Sequence, residues 1–248
     1  MDKLSIAGLI VAILAIFVGF SVEGGSLSTL FELPAFIIVF GGTVGAVMLQ
    51  SSVQQFFHAF SLLKWIFIPP IYDIEKGIAD IVTWAEKARE SGFLILENQA
   101  LDEKDPFIQK ALNLVVDGEN VEHMRVAMEL DLDVSREHHL RSAAVFESMG
   151  GYSPTIGILG AVLGLIMAMG QLDNPEQLGQ GIATAFIATI YGVGFANLLY
   201  IPVANKIRAI IHQQSMFREM MIEGLVAVAN VENPRAIENK LSAFRLRT

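Results

Sequence analysis

Four stretches of this chain carry no Asp, Glu, Lys or Arg: residues 4–22, 33–63, 148–172 and 177–205. A helix needs roughly 20 consecutive apolar residues to cross the hydrocarbon core of a bilayer. Each stretch reaches or approaches that length. The second and fourth exceed it, and their excess is expected to continue as helix beyond the membrane. With 53% hydrophobic and only 17% charged residues, the composition departs from that of an ordinary soluble domain. The expected fold class is therefore all-α: a polytopic membrane protein with four transmembrane helices and a helical cytoplasmic domain.

The charges orient those helices. All 17 lysines and arginines fall at Lys3, between Lys64 and Arg141, or from Lys206 to Arg247. The two short connectors, Glu23–Glu32 and Asp173–Glu176, hold acids and no base. Basic residues are retained on the cytoplasmic side, so both termini and the long middle region are expected in the cytosol. Met1–Phe20 also has a signal-peptide look. However, Asp2 offsets Lys3 and no good small-residue cleavage site precedes Glu23, which favours an uncleaved first helix.

This reading divides the chain into residues 1–50 (the first two transmembrane helices), 51–150 (a cytoplasmic helical loop), 151–204 (the third and fourth transmembrane helices) and 205–248 (a cytoplasmic tail). Pro69-Pro70 stops any helix and opens the cytosolic part. Over 72–89, Ile74, Ile78, Ile81, Val82 and Ala85 recur at helical spacing opposite Asp73, Lys76, Asp80 and Lys87. Ser91-Gly92 ends that helix, and a short apolar element begins at Phe93. Asp105-Pro106 starts a helix through Val116, which Asp117-Gly118 breaks. From Asn120 the pattern is helical again and is expected to run directly into the third membrane segment. The tail is amphipathic and interrupted only at Asn233-Pro234.

The chemistry-bearing part is residues 150–164, GGYSPTIGILGAVLG, and 181–194, GIATAFIATIYGVG. Gly157, Ala161, Gly164 and Ala168 share one helical face, and Gly181, Ala185, Ala188 and Gly192 another. Small-residue stripes let backbones approach closely, and static packing explains them without further function. Thr155, Thr184 and Thr189 add hydroxyls at membrane depth. Each satisfies itself by default on a carbonyl one turn back, but together beside a groove they are able to line a wet path. Pro154 and Pro202 each remove a backbone hydrogen bond near a membrane boundary.

Between Tyr152 and Leu172, and again between Gln177 and Asn205, there is no Asp, Glu, His, Lys or Arg. A proton- or ion-coupled device normally needs an ionisable group at membrane depth. This chain therefore conducts nothing, or borrows its titrating group from another polypeptide.

The run from Gly150 to Ile166, with Pro154-Thr155-Ile156-Gly157, resembles the third membrane helix of the MotA-type flagellar stator family, within the MotA/TolQ/ExbB proton channel superfamily. Gly181–Asn205, with Ala188-Thr189-Ile190-Tyr191-Gly192, Ala196-Asn197-Leu198 and Ile201-Pro202, is similar to its fourth. The likeness extends over essentially the whole chain.

The resemblance implies a subunit of a torque-generating ion channel in the bacterial inner membrane. It implies a homopentamer around a dimer of a single-helix MotB-type partner, which supplies the missing aspartate. Pro154 and Pro202 match the family's two helix-shaping prolines. Thr155, Phe186 and Thr189 match positions along the ion path, facing the partner. Arg89 and Glu97 match the basic and acidic residues that engage the rotor protein FliG; from the residues alone they are an ordinary solvated surface. Sodium-driven relatives carry a threonine where this chain has Ala161, so the implied ion is H⁺ rather than Na⁺.

Two other readings compete. A TolQ/ExbB-like energiser shares the borrowed-acid logic, but such relatives usually have three crossings. A non-conducting membrane scaffold would bind partners through its cytosolic helices. No nucleophile–base pair, phosphate loop or metal-ligand spacing points to an enzyme, a cofactor or a metal. His138-His139 read as surface residues. The absence of cysteine excludes disulfides, and a net charge of −9 argues against nucleic acid.

Overall fold

The computed structural model describes residues 3–173 and 175–247, with the backbone alone at Lys3, Glu176, Leu246 and Arg247. The side-chain charges of Lys3, Glu176 and Arg247, and Asn174 of the second connector, thus lie outside the described residues. Every regular element among the described residues is helical. Among the described residues, four helices are long and apolar enough to span a membrane: Leu4–Val22, Leu27–Gln50, and those within Val121–Met169 and Gln177–Ala229.

The chain forms two compact units, Met1–Pro69 with His139–Arg208, and Pro70–His138 with Ala209–Thr248. Two elements that the sequence placed in the cytosolic loop, residues 53–67 and 139–150, pack within the first unit.

In the first unit, α1 (Lys3–Val22) is followed by a 3₁₀ turn at Leu27–Leu30. The second membrane element starts as α2 (Leu33–Phe36), with Pro34 in its first turn, where a missing N–H costs nothing. It widens into one π turn at Ile37–Gly41 and finishes as α3 (Gly42–Gln50). The expected continuous extension to residue 63 does not occur. Ser51 is extended (φ −101°, ψ 147°), and α4 (Val53–Phe67) starts afresh with Ser52 Oγ accepting from Gln55 N at 3.3 Å. Beyond residue 139 the unit contains the C-terminal part of α8 (Val121–Met169), then α9 (Pro175–Phe195) and the start of α10 (Ile201–Ala229). A π turn at Ala196–Tyr200 joins the last two.

The second unit is a helical bundle whose local starts and stops were written in the sequence. Asp73 caps α5 (Ile74–Ser91) by accepting from Lys76 N at 3.0 Å. Asp105 caps α7 (Pro106–Val116) by accepting from Phe107 N at 2.9 Å, and Asn233 caps α11 (Pro234–Leu241) through Arg235 N at 3.0 Å. Such caps each satisfy an orphan donor and contribute about 1 kcal/mol. Gly92 at φ +79° lets the chain leave α5 sharply and lead, through a 3₁₀ turn at Phe93–Leu96, into α6 (Glu97–Asp102). The core joins Ile78, Ile81 and Trp84 of α5 to Leu96, Phe107, Leu112, Met124, Met128, Met220, Leu225, Ile237 and Leu241. It is ringed by ion pairs, with Glu223 engaging both Arg125 and Lys240.

Candidate functional site

The two small-residue stripes face each other. A Cβ added at Gly157 would lie 2.9 Å from Ala188 O and 3.0 Å from Gly192 Cα; one at Gly164 would lie 2.8 Å from Ala185 N. At Gly181 it would meet Ala168 at 2.9 Å. These contacts leave no room for any side chain, so α8 and α9 touch backbone to backbone. Gly157 meets Gly192 while Gly164 meets Gly181, so the helices run antiparallel. The second membrane element closes the pair from one side: Ile38 and Val39 approach the Gly160 position, and Ala35 and Val39 share a core with Ile187 and Ala188. Phe36, Phe40, Tyr191 and Phe195 extend that contact with edge-on rings, such as Phe36–Phe195 at 6.1 Å.

The residues expected along an ion path fall off this seam. At about 100° per residue, and with the helices antiparallel, Pro154 and Ala161 on α8 and Thr189 and Phe186 on α9 lie to the same side of it. Thr155 points almost directly away from the seam. Phe186 is 69% exposed in the protomer and Thr155 is exposed, whereas Ala161, Thr189 and Pro154 are partly covered. Thr155 Oγ1 donates to Tyr152 O at 2.8 Å and Thr189 Oγ1 to Ala185 O at 3.2 Å. Both hydroxyls thus keep free lone pairs on a surface otherwise made of Ile158, Leu159, Val162, Ile166, Ile190 and Val193.

Pro154 sits inside α8 without ending it. Pro202 follows the π turn, where Ile201 N reaches back five residues to Ala196 O, and it lines an apolar groove of about 470 Å3 with Ser5, Leu9, Asn197 and Leu199. A wide turn in an apolar helix next to a proline is a common mark of a functional segment.

Thr184 is not on this surface. It is buried, and its hydroxyl lies 3.1 Å from both Gln180 O and Glu32 Oε1. Glu32 is a residue that reading the fourth helix alone did not find. Its backbone N–H donates to Tyr191 Oη at 3.2 Å, and that hydroxyl donates to Leu30 O at 2.5 Å. Tyr191 and Thr184 therefore tie the acidic connector to α9.

Arg89 and Glu97 lie in the other unit, at the last turn of α5 and the first of α6. Both are exposed, and neither makes an ion pair among the described residues. No group of three or more His, Cys, Asp or Glu among the described residues is arranged to hold a metal.

Comparison with known proteins places this arrangement. Residues 99–220 match the MotA/TolQ/ExbB proton channel family, and residues 6–81 match the Motility protein A N-terminal family. Motility protein A of Bacillus subtilis (strain 168) is 36% identical over 98% of this chain and 91% of its own length. The chain belongs to the MotA/TolQ/ExbB proton channel family. Within it, Chemotaxis protein PomA of Vibrio alginolyticus is 30% identical over 98% of this chain and 95% of that protein. The solved C. jejuni MotAB structure superposes with a TM-score of 0.93 at 31% identity, covering 98% of this chain and 96% of the matched one. The flagellar MotAB stator complex from Bacillus subtilis gives 0.88 at 34% identity, covering 99% of both. Membership of this channel family sets the chain apart from the enzymes, as its sequence implied.

Proposed function

We propose that this chain is the torque-generating stator subunit of a flagellar motor in the bacterial inner membrane, working with a MotB-type partner. The observation that carries the reading is the wall formed by Pro154, Ala161, Phe186 and Thr189 to one side of the helix seam, with Thr155 facing outward beyond it. It is apolar, bears hydroxyls, lies beside a rigid helix seam and has no side chain that titrates at membrane depth. Such a wall works only once another polypeptide brings an acid beside it. The resemblance of the whole chain to the solved MotAB structures supports that division of labour.

In this reading a homopentamer surrounds a partner dimer, with both termini and the middle region cytosolic. A proton crossing the membrane potential releases about 2.3 kcal/mol per 100 mV. Neutralising the partner's aspartate weakens its hold on the hydroxyls and peptide dipoles of α8 and α9, and the ring steps on. Arg89 and Glu97 deliver the step to FliG. Ala161 offers no oxygen to replace hydration water around Na⁺, which favours H⁺. Four spanning helices also fit this reading better than a three-crossing energiser.

The test is reconstitution into vesicles with and without the partner, under separate H⁺ and Na⁺ gradients. Proton flux that needs both chains supports the reading. Vectorial flux through this chain alone, or no flux with any aspartate-bearing partner, rules it out.

A further inference from the structure

The apolar groove of the first unit lies apart from the α8–α9 seam. Its volume of about 470 Å3 suits one small apolar ligand. One wall is α1, where Ser5, Gly8 and Ala12 fall on one helical face. Between α8 and α9 such a stripe brings backbones into contact, but a Cβ added at Gly8 would meet nothing within 4 Å. Here the small residues leave space instead. Phe67 of α4 forms a second wall, and Leu199 and Pro202, in the π turn and at the start of α10, form the third.

Depth and charge say what fills it. Both α1 and the segment around Leu199 belong to membrane-spanning helices, so the groove opens onto lipid. Beside it, α4 exposes Val53, Phe57, Phe60 and Phe67 along one stripe, with Lys64 among them. That is the pattern of a helix lying in the membrane–water boundary. One end of the groove is basic: Lys206, the first charge after the uncharged run 177–205, lines it, and Ser5 stands at the start of α1. An ammonium has three donors, so Lys206 is able to take a phosphate alongside its contact within the chain. We propose that the groove binds one acyl chain of an anionic phospholipid, drawn from the leaflet on the N-terminal side of α1, with its phosphate at Lys206. A zwitterionic lipid offers the same chain with its phosphate charge cancelled, so Lys206 selects the anionic one. The bound chain braces α1 against the π turn and Pro202. The site depends on neither the ion carried nor the rotor contact.

The experiment uses the complex of this chain with its MotB-type partner, delipidated in detergent. Phosphatidylglycerol and phosphatidylcholine with identical acyl chains are the probes, and native mass spectrometry reads the bound lipid. The parent is expected to bind phosphatidylglycerol about fivefold more tightly, the worth of one lysine near a lipid surface. Lys206→Gln should abolish that preference while keeping phosphatidylcholine bound, and Lys206→Arg should retain it. Gly8→Leu, which grows into the groove rather than into protein, should weaken binding of both lipids by about fivefold or more. Equal binding of the two lipids by the parent, or unchanged binding in Gly8→Leu, overturns the proposal. So does dissociation of the chain's copies in Gly8→Leu with helix content intact by circular dichroism, because the groove then seats a neighbouring copy. Should Gly8→Leu lose helix content, the Lys206 variants decide: a preference that survives in Lys206→Gln overturns the site.

Discussion

Gly157 and Gly192 occupy each other's side-chain space: a Cβ on the first would lie 3.0 Å from the second's Cα, and the reverse distance is 2.9 Å. Gly192→Ala would also press within 2.7 Å of Ser153 O. Overpacking of this kind costs about 1–3 kcal/mol. We expect the detergent-solubilised variant to melt earlier. Gly194→Ala, whose Cβ would meet nothing within 4 Å, should melt like the parent or slightly later. Equal behaviour of the two variants would show that the seam tolerates separation.

Thr189 offers a cleaner separation of stability from function. Its hydroxyl only bonds back to Ala185 O within its own helix, so Thr189→Ala should alter stability by no more than about 0.5 kcal/mol. Ion-driven motility should nevertheless fall, with normal membrane levels on immunoblots. Full torque would reduce the residue to packing.

Tyr191→Phe keeps the ring stack on Phe195 but deletes the hydroxyl that serves Leu30 O and Glu32 N. Loss of a partly buried hydrogen bond costs about 0.5–1.5 kcal/mol. The expected result is faster amide hydrogen exchange in peptides covering residues 27–36, with helix content unchanged. Unaltered exchange there would mean that the connector is held by other contacts.

Asp80, in the second unit, gives a pH signature. Burial pushes its carboxyl above the ordinary range; Lys76 opposes this, while Glu103 and Asp73 add to it. The folded chain therefore holds this proton more tightly than the unfolded chain does. The resulting stability is fully present below the unfolded carboxylate value of about 4 and is lost as pH rises through the folded value. Asp80→Asn should raise the melting temperature at pH 7 by on the order of 2 °C, and by less at pH 3.5. An equal gain at both values would point to packing rather than charge.

Much of this fold was legible because its punctuation is chemical. Asp73, Asp105 and Asn233 announce helix starts through side-chain oxygens, and Gly92 and Gly118 mark stops through positive φ. The break at Ser51-Ser52 passed unseen inside an apolar run, although Ser52 with Gln55 three residues later has the form of a capping box. The π turns at 37–41 and 196–200 could not have been read, since a shift in backbone hydrogen-bond register leaves no residue-type signal. The stripes on α8 and α9 were visible as pattern, but that they face each other rather than a neighbouring subunit is a tertiary fact. The Glu32–Thr184 contact joins residues 152 positions apart and has no local trace.

The interlocked glycines of α8 and α9 also restrict how such a machine is able to move. Sliding one helix by a single residue, about 1.5 Å, would drive the methyls of Ala188 and Ala168, which already sit against the Gly160 and Gly181 positions, into main-chain atoms. The two helices must travel together, as one stiff plank. Whatever gives way during a working stroke has to be found at the plank's outer edges, where Phe186 and Thr155 wait uncovered.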